Sequence, residues 1–296
     1  MRLRFLKMVV AVAAMFAGVA QADEITVGGK NFTEQFLLSS MTAQLLEANG
    51  FDVDIRSGMG SAAVRQAMEN GQIDVYWEYT GTSLITYNKV AERLDADETY
   101  IRVKELDAAK GIVWLNPSRA NSTYALAMRS DRARELGIAT DSDLAARLNG
   151  NPDLTLAANT EFYARPDGLK PFQKAYGFEI PRDRVVRMDA GLIHEALKNG
   201  DVDVGIVIAT DGKIPALDLV TLEDDQGFFP AYALVPVARI EALKANQSIG
   251  GLLNALSSKL DDATMAKLNA RVDVERESIE QVAADFLKKA GLINRE

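Results

Sequence analysis

Val64-Arg65-Gln66-Ala67-Met68-Glu69-Asn70-Gly71-Gln72-Ile73-Asp74-Val75 and Ile193-His194-Glu195-Ala196-Leu197-Lys198-Asn199-Gly200-Asp201-Val202-Asp203-Val204 have the same pattern. In each, a helical run stops at Asn-Gly, and a short turn leads into a strand. The first copy continues into Glu78-Tyr79-Thr80-Gly81-Thr82 and the second into Ala209-Thr210-Asp211-Gly212. Two such units, each with a threonine-bearing loop at a strand's carboxyl end, predict two lobes facing one cleft. Clefts between lobes are where small molecules are held.

Outward from the repeats, Ile25-Thr26-Val27 reads as a short strand ending at Gly28-Gly29. Asn31-Phe32-Thr33-Glu34 has capping-box spacing before a helix to about Glu47, with Gly50 as its stop. Residues 51–55 alternate as a half-buried strand, the polar stretch at 95–98 reads as loop, and 111–115 reads as strand. Residues 121–128 read as a strand crossing into a second unit, which holds strands at 154–158 and 185–188 and a helix near 172–176. Residues 228–235 read as the return crossing. The tail is helical at 249–260, 263–272 and 278–290, with Ser278 as N-cap and Gly291 as stop. Alternating strands and helices give an α/β protein with two lobes, each a mostly parallel sheet flanked by helices. Two crossing strands make the first lobe discontinuous, over 23–121 and 233–296, with the second over 122–232.

Arg2, Arg4 and Lys7, the apolar run 8–19 and Ala20-Gln21-Ala22 form an export signal over 1–22, cleaved after Ala22. The run is short for a membrane span. A periplasmic location is therefore expected. The chain has no cysteine, which excludes disulfides, thiolate metal sites, a cysteine nucleophile and a lipid-modified cysteine. A net charge of −9 with scattered Lys and Arg argues against a nucleic-acid binder.

Catalytic signals are sparse. Gly58-Met59-Gly60-Ser61-Ala62-Ala63 matches G-x-G-x-x-A with Glu78 about twenty residues on, the pattern of a dinucleotide site in an oxidoreductase. Tight glycine turns are also common in α/β proteins that bind no nucleotide. There is no G-x-S-x-G, and the single histidine, His194, reads as a surface or packing residue. The pairs Asp52/Asp54, Asp201/Asp203 and Asp224/Asp225 read as solvated surface. No catalytic residue, metal site or cofactor is expected.

Tyr79, Tyr124 and Tyr232 fall on the first repeat's loop and the two crossings, and would converge on the cleft. Ring faces attract cations and suit a quaternary ammonium, which has no hydrogen to donate. Tyrosines at strand ends also serve as ordinary packing. Lys30 and Arg165 could pair a ligand carboxylate or lie solvated on the surface.

Gly29-Lys30-Asn31-Phe32-Thr33-Glu34-Gln35, Asp74-Val75-Tyr76-Trp77-Glu78-Tyr79-Thr80-Gly81-Thr82, Arg165-Pro166-Asp167-Gly168-Leu169, Ala209-Thr210-Asp211-Gly212 and Phe228-Phe229-Pro230-Ala231-Tyr232 together resemble the quaternary-amine substrate-binding proteins of ABC importers. The resemblance implies a type II periplasmic binding fold whose lobes close on glycine betaine, choline or carnitine. It implies a cage of Tyr79, Tyr124 and Tyr232 and a carboxylate grip of Lys30, Thr82 and Arg165. Ser122 stands where the family often has Asp or Asn, and Ile208 fills the place of a fourth cage tyrosine. That departure leaves open a different amine or amino-acid-like solute. The expected partners are an ABC permease and its ATPase as separate chains, with the receptor itself a monomer.

Overall fold

Two five-stranded sheets of matching design carry the chain. The computed structural model describes residues 24–92, 94–151 and 153–294; the export signal read at 1–22 lies outside the described residues. The first sheet comprises β1 (Glu24–Lys30), β2 (Asp52–Met59), β3 (Val75–Tyr79), β4 (Ile112–Trp114) and the late β10 (Leu234–Arg239), in the order β2-β1-β3-β10-β4. The second comprises β5 (Tyr124–Arg129), β6 (Leu156–Ala158), β7 (Val185–Arg187), β8 (Val204–Ile208) and β9 (Leu219–Thr221), in the order β7-β6-β8-β5-β9. β1 runs parallel to β2 and β3, and β6 runs parallel to β7 and β8. The strand in fourth place, β10 or β5, runs antiparallel to both its neighbours. These two strands bring the chain in from the opposite lobe, so they enter at the cleft and run away from it.

The repeats account for the match. The helices Ser61–Glu69 and Ala190–Asn199 end in turns through Gly71 (φ +75°) and Gly200 (φ +77°), and feed β3 and β8. The aspartate before each strand fixes the neighbouring strand: Asp74 accepts from the Thr26 amide, and Asp203 from the Thr155 amide and hydroxyl, each at 2.9 Å. Asp203 is therefore a structural anchor rather than simply solvated surface. Asp224 likewise accepts from the Phe228 and Phe229 amides at 2.8 Å and fixes the start of the return crossing. His194 is buried, with Nε2 3.0 Å from Asp211, so it packs inside the lobe rather than on its surface.

Three local expectations change. β1 does not end at Gly28-Gly29 but stays paired with β2 out to Lys30, and Gly29 is glycine because a side chain there would collide with Ser39 on the adjacent helix. Asn31 caps nothing: the helix Thr33–Glu47 begins after Phe32 without a side-chain cap, and Glu34 is engaged elsewhere. The polar stretch at 95–98 is not loop, because Asp95 and Glu98 form the capping box of the helix Ala96–Ala108. The tail helices Ser248–Ser257, Asp262–Asp273 and Ile279–Lys289 fall where the sequence puts them, with Ser278 accepting from the Gln281 amide.

One buried group makes stability depend on pH. Asp141 is 1% exposed, and its carboxyl oxygens have no hydrogen-bond partner among the described residues. Burial, with Asp224 and Asp225 nearby, pushes its pKa up to about 8. The folded state thus favours the protonated acid, and its contribution is full below the unfolded pKa of about 4 and lost as pH rises through 8. Asp141→Asn should remove this loss, gaining about 1–4 kcal/mol over the parent at pH 8 but little at pH 4. Urea unfolding at the two pH values checks it.

Candidate functional site

The carboxyl ends of β3 and β8 and the starts of β5 and β10 meet where the lobes face each other. There the two crossings lie side by side, with the Ser122 amide donating to the Tyr232 carbonyl (3.2 Å) and the Leu234 amide to Ala120 (3.0 Å). The Thr80 hydroxyl donates to the Ala231 carbonyl and accepts from the Ala233 amide. This places the return crossing directly over Gly81, where a Cβ would lie 2.9 Å from both the Ala231 carbonyl oxygen and the Tyr232 ring. Glycine in that loop is therefore what allows Tyr232 its seat.

Tyr124 and Tyr232 come together edge to face, with ring centroids 5.7 Å apart. Phe162 and Phe229 flank Tyr124 at 5.5 and 6.2 Å. Tyr124 and Phe229 each pack against the cores of both lobes, so this aromatic cluster lies on the seam. Arg165 sits over Tyr124, 5.8 Å from ring centre to guanidinium carbon. It donates to both oxygens of Asp167 (2.8 and 2.5 Å) and reaches across the cleft to the Thr82 hydroxyl at 3.3 Å. The Tyr232 hydroxyl donates to the same Asp167 at 2.5 Å. Burial alone would lower the Arg165 pKa; its bonds to Asp167 outweigh this and raise it, so the guanidinium keeps its charge inside the protein. Thr82 is buried and opens a short π-helical turn, Thr82–Tyr87, a rare geometry found often at functional sites.

Lys30 and Tyr79 form a second group. Lys30 is buried, bonded to Glu78 at 2.6 Å, and its ammonium lies over the Tyr79 ring at 4.6 Å. The Tyr79 hydroxyl donates to Glu34 (2.8 Å) and accepts from the Gln35 side-chain Nε2 (2.9 Å). Glu34 also accepts from Ser122 (3.1 Å) and Thr210 (2.8 Å), linking the first lobe, the hinge and the second lobe. Burial raises the Glu34 pKa, opposed by these three hydroxyls.

Of the residues singled out, Thr82, Tyr124, Arg165 and Tyr232 thus form one constellation. Lys30 and Tyr79 form a neighbouring group joined through Glu34 to Ser122. Ile208 pairs directly with Tyr124 across β8 and β5, so it shares that ring's face of the sheet. Each candidate cation is matched by a carboxylate, Lys30 by Glu78 and Arg165 by Asp167. The site therefore offers rings and donors with little net charge, which suits a zwitterion. Beside Asp167 and Phe229 opens a cavity of about 410 Å3, walled by Leu84 and Ile85 from one lobe and Phe228 and Pro230 from the other. Thr82, Tyr124, Arg165 and Tyr232 do not line it, so it adjoins their constellation rather than lying within it.

The dinucleotide pattern has another use. Glu78 holds Lys30 and Tyr76 in the core, so it cannot face a ribose. The helix start at Ser61 is taken by the chain's own Glu161. Sequence reading missed Phe162, Asp167, Phe229, Glu34, Gln35 and Glu161 as site residues. Glu34, Gln35, Asp167 and Phe229 stood inside recognised motifs, but their partners come from distant parts of the chain.

Known proteins resemble the chain along nearly its whole length. The family described as the substrate binding domain of ABC-type glycine betaine transport systems matches residues 23–289. The chain is 46% identical to a glycine-betaine-binding protein of Pseudomonas aeruginosa, over 96% of this chain and 94% of that one. It is 34% identical to the glycine betaine-binding protein YehZ of Escherichia coli, over 95% of each. A crystal structure described as a glycine betaine/carnitine/choline ABC transporter aligns with a TM-score of 0.74 at 28% identity, covering 91% of this chain and all of that one.

Proposed function

We propose, because the chain belongs to the family of substrate binding domains of ABC-type glycine betaine transport systems, that it is a periplasmic receptor for a small quaternary-ammonium solute, with glycine betaine the first candidate. The lobes close on the solute and present it to a permease and an ATPase that are separate chains. No helix among the described residues is long and apolar enough to cross a membrane. The function is binding rather than bond-making.

The observation that carries this reading is the Tyr124–Tyr232 pair with Arg165 beside it on the interlobe seam. A trimethylammonium head is held by ring faces, and a carboxylate by the guanidinium fork with Thr82. Micromolar affinity requires only about 8 kcal/mol, which a few rings, one charged grip and apolar desolvation can supply. The solute's own carboxylate must compete with Asp167 for Arg165, which tempers affinity.

Ile208 is the observation behind a second reading, in which the pocket is shaped for another amine or an amino-acid-like solute. Phe162 and Phe229 already place rings around Tyr124, but neither occupies the position across from it. Titration calorimetry of the parent and of Ile208→Tyr separates the two. If a ring is what the site lacks, the variant should bind glycine betaine roughly 2- to 30-fold more tightly. No gain in a folded variant would favour the second reading. Absence of any quaternary-amine binding by the parent would overturn the first.

A further inference from the structure

The two lobes carry the same side chain at the same place. β1 and β6 hold equivalent positions in their sheets, and each is followed by a helix whose second residue is a glutamate after a threonine, Thr33-Glu34 and Thr160-Glu161. Each glutamate reaches out of its own lobe. Glu34 accepts from the Thr210 hydroxyl of the second lobe and from Ser122 on the hinge. Glu161 accepts from the Ser61 amide (3.0 Å) and hydroxyl (2.9 Å) of the first lobe, one hundred residues away in sequence. Ser61 opens the helix Ser61–Glu69, whose unpaired amides and dipole favour a negative charge.

We propose that Glu161 is a latch, the opening counterpart of the fixed Glu34 contact, and that the Glu161–Ser61 contact sets how much of the receptor is closed before any solute arrives. Their burial separates their roles. Glu34 is 3% exposed beside the crossings and stays engaged as part of the hinge. The Glu161 side chain is 36% exposed, so its contact is the one free to break when the lobes part. Arg165 lies one helical turn on, 3.8 Å from Glu161, which places latch and solute grip on one stretch of chain. Because Glu161 bonds to protein rather than solute, it stabilises the closed form alike for every solute. Each apparent affinity then scales with the fraction of receptor able to close. The inference rests on the two-lobed clamp and not on which solute it holds.

Two variants test it. Glu161→Gln removes the charge. Ser61→Pro removes both donors at a position that suits proline, since Ser61 is the first helical residue and Gly60 before it is extended (φ −66°, ψ 155°). The latch predicts a larger radius of gyration in small-angle scattering for both solute-free variants. It also predicts lower interlobe energy transfer, with dyes on one introduced cysteine per lobe in a chain that has none of its own. Affinities for glycine betaine and choline should weaken by a common factor of about 3- to 10-fold, and the double variant should lose no more than either single. An unchanged solute-free radius in both variants would overturn the latch. So would a loss confined to glycine betaine, which would make Glu161 a solute contact. The scattering needs no solute, so it decides the latch even if the solute assignment fails.

Discussion

Tyr232→Ala is expected to weaken glycine betaine binding by about 10- to 100-fold, while Tyr232→Phe costs less than about 5-fold. Tyr232 is almost fully buried, presents its ring edge-to-face to Tyr124, and rests on Gly81. Truncation to alanine removes a cation-binding face from a desolvated site, where such faces count most. It also opens a void that the neighbouring rings can fill only in part. Phenylalanine keeps the ring and removes only the hydroxyl that donates to Asp167. Asp167 retains both bonds from Arg165, so the site keeps its shape. Calorimetry at a temperature where circular dichroism shows both variants folded separates ring from hydroxyl. Equal losses would mean that Tyr232 acts through Asp167 and not through its face.

The second large effect concerns discrimination between solutes. Arg165→Ala should cost glycine betaine about 10- to 100-fold, the scale of a hydrogen-bonded charge, and should cost choline far less. Choline has no carboxylate to lose. Without Arg165, Asp167 stands as an unmatched carboxylate next to the rings, and an anion there attracts a methylated cation. Choline binding is thus expected to hold steady or tighten as glycine betaine binding falls. Breaking a buried pair also costs about 3–5 kcal/mol of stability, so Arg165→Ala with Asp167→Ala serves as the neutral control. Parallel losses for both solutes in the two variants would remove Arg165 as a carboxylate grip.

The repeat fixed the architecture legibly because Asn-Gly stops and the aspartates before β3 and β8 do the same work in each lobe. The last two tail helices were legible because their caps, Asp261 and Ser278, are local. What escaped the sequence depends on tertiary approach. Gly28-Gly29 reads as a break, and only the close packing of Ser39 shows why glycine sits within the strand. Glu34 has the spacing of a capping residue, but burial against Tyr79 and Thr210 gives it better partners. The meeting of Tyr124, Tyr232 and Arg165 at the seam was legible from position and motif, whereas Tyr79 falls in the neighbouring group. Asp167, which neutralises Arg165 and orients Tyr232, was visible only once three elements met. Lys30 reads as a free cation, yet the Glu78 that pairs with it lies on a different strand.

A crystal structure of the mature protein with glycine betaine tests the central claim most directly. The account predicts the trimethylammonium head against the faces of Tyr124 and Tyr232, with Tyr79 nearby, and the carboxylate within hydrogen-bonding distance of Arg165 or Thr82. Those two rings still packed together with the solute bound elsewhere, or Arg165 bonded only to Asp167 with the carboxylate facing water, would contradict it.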